Sequence, residues 1–154
     1  MALSSNALCA KAKAMYGYRI GEEGYSDLCR KQSLSEMVTY LKSQTKYSGV
    51  LEDINVRNVH RRQVEAALNK EYFERCARLM KYAPKKNQDF YSQEVIGIEV
   101  QLIVDKVVSI KEKDQASFSL EIPDYLASKM SFNIYGLINV DNLSLIHISE
   151  PTRP

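Results

Sequence analysis

The chain has 154 residues, of which 45% are hydrophobic and 26% charged, and its net charge is +2. These values are typical of a globular protein that forms one domain or part of a larger one. A charge so close to neutral gives no indication of nucleic-acid binding through bulk charge.

The three cysteines, Cys9, Cys29 and Cys76, are an odd set without C-x-x-C spacing. They do not indicate a disulfide framework, and residues 1–14 lack the apolar region of a signal peptide, so we expect a reducing cytosolic setting. The longest apolar stretch, 95–110, is interrupted by charged residues. It therefore falls short of the roughly 20 apolar residues that a membrane-spanning helix needs.

Helix signals begin close to the amino terminus. The alanine-rich stretch 6–18 predicts a helix that ends near Gly21, with Ser4 and Ser5 as candidate N-caps. A short helix is expected over 25–31. The pair Ser33 and Glu36 has capping-box spacing and predicts a helix over 34–44.

The clearest periodicity lies in 59–81, where apolar residues recur every four positions and predict a long helix. Its predicted stripe consists of Val64, Leu68, Tyr72, Cys76 and Met80. Pro84 is expected to end this helix, and 85–87 to form a polar connection.

Residues 95–110 fit two patterns. Ile96, Ile98, Val100, Leu102 and Val104 alternate as in a strand, whereas Ile96, Val100, Ile103, Val107 and Ile110 follow a helical stripe. Length favours a helix, because the run is about three times a typical strand.

Two shorter helical segments follow. Pro123 favours a short helix from Ile122-Pro123-Asp124 onward, and Ser131 or Asn133 is expected to cap a last one. No segment is a convincing partner strand or a linker. The sequence therefore predicts an all-α fold of several helices.

Catalytic and metal-binding patterns are largely missing from the sequence. Gly17, Gly21 and Gly24 lack the spacing of a phosphate-binding loop. His60 and His147 are the two histidines, and neither belongs to a short-spaced ligand pair. Cys9 and Cys76 fall on apolar helical faces, where a thiol usually behaves as a small hydrophobe. We predict no catalytic, cofactor or metal site.

The strongest positive feature is Arg57, His60, Arg61 and Arg62, continued by Lys70, Arg75, Arg78 and Lys81. A solvated helix face is its simplest interpretation, and a binding surface for an acidic protein partner is the alternative. Interleaved glutamates weaken the case for nucleic acid. We predict Arg57, Arg61 and Arg62 as partner contacts, together with exposed tyrosines among the ten in the chain.

A family resemblance is carried by Asn6-Ala-Leu-Cys-Ala-Lys-Ala-Lys-Ala-Met15, Tyr25-Ser-Asp-Leu-Cys29, Ser33-Leu-Ser-Glu-Met-Val-Thr-Tyr-Leu41 and Thr45-Lys-Tyr47. In this order they resemble the amino-terminal part of the C subunit of V/A-type ATPases, the homologue of the d subunit of the eukaryotic V-ATPase. The later segments also follow the order found in the family: helices over 60–82 and 94–110, then the stretch Phe118-Ser-Leu-Glu-Ile-Pro-Asp-Tyr-Leu126. The resemblance therefore covers 6–142. The family often has Arg-x-Arg where this chain has Lys11-Ala-Lys13.

This resemblance implies a non-catalytic, funnel-like rotor subunit made of three helical domains. It would join the central stalk to the membrane rotor ring during ATP-linked proton or sodium transport, on the cytoplasmic side and peripheral to the membrane. No cofactor and no nucleic-acid partner are implied. The competing interpretation is a small helical adaptor that binds an acidic protein or nucleic acid through Arg57, Arg61 and Arg62.

The tail, 143–154, includes Leu-Ser-Leu-Ile-His-Ile-Ser-Glu-Pro-Thr-Arg, which resembles one reading frame of a transposon-end sequencing adaptor. We therefore expect 143–154 not to be native. Residues 1–142 would then be the amino-terminal portion of a truncated subunit, with its first domain and part of its second. Removing the tail leaves the net charge unchanged, because it holds one acid, Glu150, and one base, Arg153.

Overall fold

The computed structural model describes residues 2–84, 88–113, 118 and 120–142. Among these residues lie α1 (Ala2–Tyr16), α2 (Glu22–Cys29), α3 (Leu34–Gln44), α4 (Arg61–Met80), α5 (Gln88–Lys111) and α6 (Asp124–Ala127). Two 3-10 helices cover Val56–Asn58 and Ile134–Asn139. None of the described residues forms a strand, and the predicted all-α fold is confirmed.

The chain divides into two compact units, Met1–Arg75 and Cys76–Pro154. Their boundary falls inside α4 and not in a flexible connection, which agrees with the lack of a linker in the sequence.

The first unit has a small core made by α3, α4 and the loop between them. Val38 and Leu41 of α3, Leu51 of the loop and Val64 of α4 are buried together. Partly buried apolar side chains surround them: Ile20, Leu28, Leu34, Tyr47, Val50, Ile54, Val56, Val59, Ala67 and Leu68. Burial of these apolar surfaces is the main force that holds the unit together.

Side chains of α3 fix both its own start and the loop that follows it. Ser33 accepts a hydrogen bond from the Glu36 backbone N–H at 3.2 Å, which confirms the predicted cap, and the helix has the predicted bounds. Lys42 Nζ donates to the carbonyl oxygen of Ile54 at 2.7 Å, and Ser35 Oγ donates to that of Val56 at 2.5 Å. These bonds satisfy loop carbonyls that would otherwise lose partners on burial.

The second unit is built on α5, which confirms the predicted helix over 95–110 and extends it at both ends. Its buried apolar residues include Ala77 of α4, Val95, Ile98 and Leu102 of α5, Ile122, Leu126 of α6, and Ile134 and Leu137 of the second 3-10 helix. That 3-10 helix contacts α5 and is capped by Asn133, which accepts from the Tyr135 backbone N–H at 3.2 Å. Of the two cap residues that the sequence suggested, Ser131 and Asn133, it is thus Asn133 that caps this helix.

Polar side chains are also buried on α5. Glu99 accepts hydrogen bonds from the backbone N–H and the hydroxyl of Ser131, the latter at 3.1 Å. Lys106 Nζ donates to the Ile138 carbonyl oxygen at 3.4 Å and lies 5.0 Å from the centre of the Phe118 ring. Both groups therefore retain polar or aromatic partners within the unit, as buried charges require.

Several helix boundaries differ from those predicted. α1 contains Ser4 and Ser5 instead of starting after them, and it ends at Tyr16, before Gly21. α2 starts at Glu22, because acidic residues in a first turn interact favourably with the helix dipole. α6 begins after Pro123, so proline occupies the cap position and not the first turn.

The predicted apolar stripe of α4 is wrong at Tyr72, while Leu68, Cys76 and Met80 are partly buried. Val64 is buried as expected, but Tyr72 is exposed, and Phe73 and Ala77 are buried instead. A four-residue repeat advances about 400° around a helix of 3.6 residues per turn, so the stripe rotates about 40° with each step. Phe73 and Ala77, nine and thirteen positions after Val64, point about 180° and 220° away from it, so the buried side of α4 itself changes along the helix.

Some predictions fall outside the described residues or differ from what they show. The polar connection at 85–87 and the tail 143–154 lie outside them. The exposed Cys9 differs from the expected apolar setting, while Cys76 is partly buried. In the described part of α5, the helical stripe of Ile96 and Val100 faces solvent, and Gly97 has open space where a side chain would start.

Candidate partner-binding surfaces

The predicted contact residues lie at the start of α4 and just before it. Arg57 is exposed in the 3-10 helix Val56–Asn58, where Asn55 Oδ1 accepts a hydrogen bond from the Arg57 backbone N–H at 3.0 Å. Arg61 is exposed and Arg62 is partly buried. Adjacent helix positions point about 100° apart, so Arg61 and Arg62 do not form a single flat basic face.

The start of α4 is stabilised in spite of its positive charge. Arginines at a helix amino terminus oppose the helix dipole. Gln63 Oε1 offsets part of this unfavourable interaction, because it accepts a hydrogen bond from the His60 backbone N–H at 3.1 Å. Arg61 Nε also lies 2.6 Å from Glu65 Oε1, one turn further along the helix. The basic segment is thus partly neutralised by its own helix.

Arg75 has a different role from the arginines at the start of α4. Its Nε lies 2.6 Å from Glu71 Oε1, and its side chain is 21% exposed, against 84% for Arg61. Its guanidinium also lies 5.3 Å from the centre of the Tyr47 ring. Arg75 therefore packs within the first unit, and it does not extend the basic surface that the sequence suggested.

The protonation of Arg75 reflects this environment. Burial alone lowers the pKa of Arg75, but the hydrogen bond to Glu71 and the nearby Tyr47 oxygen raise it by more. The pKa of Arg75 consequently lies above the ordinary arginine value. Its charge is retained throughout the physiological pH range.

A second surface lies where α1 ends. We define the aromatic-cation turn as Tyr16, Tyr18, Arg19 and Lys46. The Arg19 guanidinium lies 4.0 Å from the centre of the Tyr16 ring, and Lys46 Nζ lies 4.4 Å from that of Tyr18. Lys46 Nζ is also 3.5 Å from the Gly17 carbonyl oxygen. These contacts hold the four side chains in a defined arrangement.

Sequence reasoning found only half of the aromatic-cation turn. Tyr16 and Tyr18 are among the tyrosines expected at interfaces, but Arg19 and Lys46 were not predicted as contacts. The succession Tyr18-Arg19 after an alanine-rich helix is a local signal for part of it. Lys46 comes from the turn after α3, and its proximity to Tyr18 depends on the tertiary fold.

A third surface is the outer face of α5, which we define as Ile96, Val100, Val104 and Val108. These residues recur every four positions and are between 42% and 54% exposed. Apart from the adjoining residues and backbone of α5 itself, no described atom lies within 4 Å of the position that a Cβ on Gly97 would occupy. A helix with apolar residues on both its inner and outer sides is usually covered by neighbouring elements.

The described residues offer little that points to a chemical site. Over this part of the chain, no group of three His, Cys, Asp or Glu side chains is arranged to hold a metal ion. A shallow cavity of about 260 Å³ is lined by Asp124, Ala127, Ser128, Asn133, Ile134 and Tyr135. None of the described helices is long and apolar enough to cross a bilayer. The exposed surfaces are thus the features that bear most directly on function.

Comparison with known protein families gives a match over most of the chain. The model of the family described as ATP synthase (C/AC39) subunit matches residues 8–147 of the 154-residue chain. No curated protein and no solved structure matches the chain. The helical-adaptor alternative receives no support from these comparisons.

Proposed function

Because the chain belongs to the ATP synthase (C/AC39) subunit family, we propose that it is a non-catalytic central-rotor subunit of a V/A-type ATPase or ATP synthase. In this role it couples the central stalk to the membrane rotor ring during ATP-linked proton or sodium transport. The observation that carries the proposal is the family match, which runs through both units of the chain and not through one of them alone.

The physical character of the molecule supports this role. A coupling subunit transmits force between partners, so it needs packed helices and surfaces that bind other proteins. The described residues supply both, in the cores of the two units and in the exposed tyrosines and arginines. Tyrosine and arginine are enriched among the residues that dominate protein-protein binding energies.

The proposed partners are the central-stalk subunits and the rotor ring. Contact with the ring would place the protein at the cytoplasmic face of the membrane, peripheral to the bilayer. In this proposal, residues 1–142 form the first domain and part of the second domain of a funnel-like, three-domain subunit. Residues 143–154 are taken as not native. Arg57 and Arg61 are exposed and remain proposed contact residues, with Arg62 beside them.

Binding to the two partners tests the proposal. The polypeptide, with native codons restored after Asn142, is immobilised and offered central-stalk subunits and detergent-solubilised rotor ring in separate assays. Retention of the stalk subunits or the ring, but not of an unrelated helical protein of similar charge, is the expected result. Retention of neither would contradict the proposed function.

A further inference from the structure

We propose that the aromatic-cation turn, Tyr16, Tyr18, Arg19 and Lys46, is a docking point for an acidic segment of a protein partner, with two carboxylates that pair with Arg19 and Lys46. The inference rests on the proposed function in one respect: the partner used to test it is the central stalk. It differs in assigning a contact surface outside the basic segment at the start of α4.

The first observation is that the two cations have no carboxylate partner among the residues that the structure describes. Within the described part of the chain, Arg19 and Lys46 form no ion pair, whereas Arg30, Arg61 and Arg75 each pair with a nearby acid in the chain. Their contacts are two tyrosine rings and one backbone carbonyl. A cation-π contact at an exposed site is weak, about 0.5–1 kcal/mol, and leaves the outward N–H groups able to donate.

The second observation is that the tyrosines supply apolar contact area beside these charges. Tyr16 is 61% exposed and Tyr18 is 49% exposed. Each ring is held by a cation on one face, so less rotamer entropy is lost when a partner covers the rest. The turn therefore combines tyrosine rings with an arginine, and these are residue types that often contribute most to protein-protein binding energy.

The third observation concerns how the turn is supported. The backbone N–H of Gly17 donates to the Lys13 carbonyl at 3.1 Å, and those of Tyr18 and Arg19 donate to Met15 and Tyr16 at 3.0 and 3.1 Å. Lys46, in the segment after α3, contacts Gly17 and Tyr18 from a separate part of the first unit. The surface is therefore formed by the fold and not by one flexible segment.

Charge selects a protein partner over nucleic acid. Glu22 and Glu23 follow Arg19 closely in the chain, and both are exposed at the start of α2. A nucleic-acid backbone carries a charge at every phosphate and would be repelled by these acids. Two carboxylates on a protein segment match two cations without extending over the glutamates. Aliphatic or aromatic side chains beside the carboxylates would cover the tyrosine rings.

The principal test compares affinities for the isolated central-stalk subunits. The full chain, its Arg19→Glu/Lys46→Glu variant and a Lys111→Glu/Lys113→Glu control are measured by calorimetry at two salt concentrations. The control has the same change in net charge, and its lysines are exposed at the end of α5 in the other unit. We expect the first variant to bind at least about fivefold more weakly and to lose salt dependence, while the control binds as the unmodified chain does.

Two results in this assay overturn the inference. One is a loss of affinity below about fivefold for Arg19→Glu/Lys46→Glu. The other is an equal loss of affinity for the control, which would indicate that net charge, and not this surface, determines binding. Circular dichroism melts establish that both variants remain folded. As a further check, Tyr16→Phe/Tyr18→Phe keeps the rings and should bind normally, whereas Tyr16→Ala/Tyr18→Ala should bind more weakly.

A second assay separates this inference from the proposed function. A peptide that alternates glutamate with leucine and a short single-stranded RNA are titrated separately into the full chain and into the Arg19→Glu/Lys46→Glu variant. Peptide binding that the variant loses supports the docking point even when neither the stalk nor the ring binds, a result that contradicts the proposed function alone. Binding of RNA in preference to the peptide, or equal peptide binding by both chains, overturns the inference.

Discussion

The buried carboxylate of Glu99 accepts two hydrogen bonds from Ser131, one from the backbone N–H and one from the hydroxyl at 3.1 Å. This pair joins α5 to the segment that precedes the second 3-10 helix. Because both carboxylate oxygens have a donor, the polar group is accommodated inside the second unit.

Removal of the Glu99 carboxylate should therefore destabilise the second unit. Glu99→Ala leaves the Ser131 N–H without its partner, and we expect a loss of about 2–3 kcal/mol in the free energy of unfolding. Ser131→Ala removes only the hydroxyl bond and should cost about 1 kcal/mol. Urea unfolding of the full chain measures both. A double variant whose cost equals the sum of the single costs would show that the two side chains do not interact.

Arg75 and Arg61 provide a matched pair of helical ion pairs that differ in burial. Arg75→Ala removes a shielded bond to Glu71 and the contact with Tyr47, so we expect a cost of about 1–2 kcal/mol. Arg61→Ala removes a solvent-exposed pair and should cost less than about 0.5 kcal/mol. Equal costs in thermal and urea unfolding would contradict this ranking.

The pH dependence of the Arg75 contribution has a defined sign. The pKa of Arg75 is raised on folding, so its stabilising effect is complete below the unfolded pKa and is lost only as the pH rises through the folded value. We expect the difference in unfolding free energy between the unmodified chain and Arg75→Ala to stay constant from about pH 6 to about pH 9. A difference that disappears within this range would argue against the assigned contacts.

Two glycines inside helices should respond in opposite directions to alanine. A Cβ on Gly24 would lie 2.6 Å from Ile20 Cγ2 and 3.4 Å from the Tyr40 hydroxyl oxygen, so Gly24→Ala should destabilise the first unit. A Cβ on Gly97 would meet no described atom within 4 Å apart from the adjoining residues and backbone of its own helix, so Gly97→Ala should stabilise α5 by up to about 1 kcal/mol. Melting temperatures of the two variants test this, and a gain for Gly24→Ala would show that the close approach to Ile20 is wrong.

The outer face of α5 should bind hydrophobic dyes. Val100→Glu/Val104→Lys replaces two exposed apolar residues with a favourably spaced pair, and we expect lower dye fluorescence with a change in stability below about 0.5 kcal/mol. Ile98→Ala, on the buried side of the same helix, should cost about 2–4 kcal/mol and should not reduce dye binding. A larger loss of stability for Val100→Glu/Val104→Lys than for Ile98→Ala would contradict the assignment of the exposed and buried faces of α5.

Local signals in the sequence predicted much of the secondary structure. The Ser33 and Glu36 pair indicated the bounds of α3, because a capping box acts within a few residues of chain. The length of the apolar run in 95–110 distinguished helix from strand. The predicted stripe of α4 failed at Tyr72, because the buried side of the helix changes from that of Val64 to the opposite side, on which Phe73 and Ala77 lie.

The candidate surfaces could be predicted less completely from the sequence. Arg57 and Arg61 could be recognised as an exposed basic segment because they are close in the chain. The contact of Lys46 with Tyr18 could not, because it requires the turn after α3 to return to the end of α1. Likewise, only the tertiary fold shows that Arg75 is held by Glu71 and Tyr47 and does not extend the basic surface.

The most direct test of the proposed coupling role is ATP-driven ion transport by the rotary complex reconstituted in vesicles. Complexes are assembled with and without the full-length subunit that the proposed function assigns to this polypeptide. We predict that both preparations hydrolyse ATP and that only the preparation containing the subunit transports ions. Equal transport per ATP hydrolysed in the two preparations would contradict the proposal.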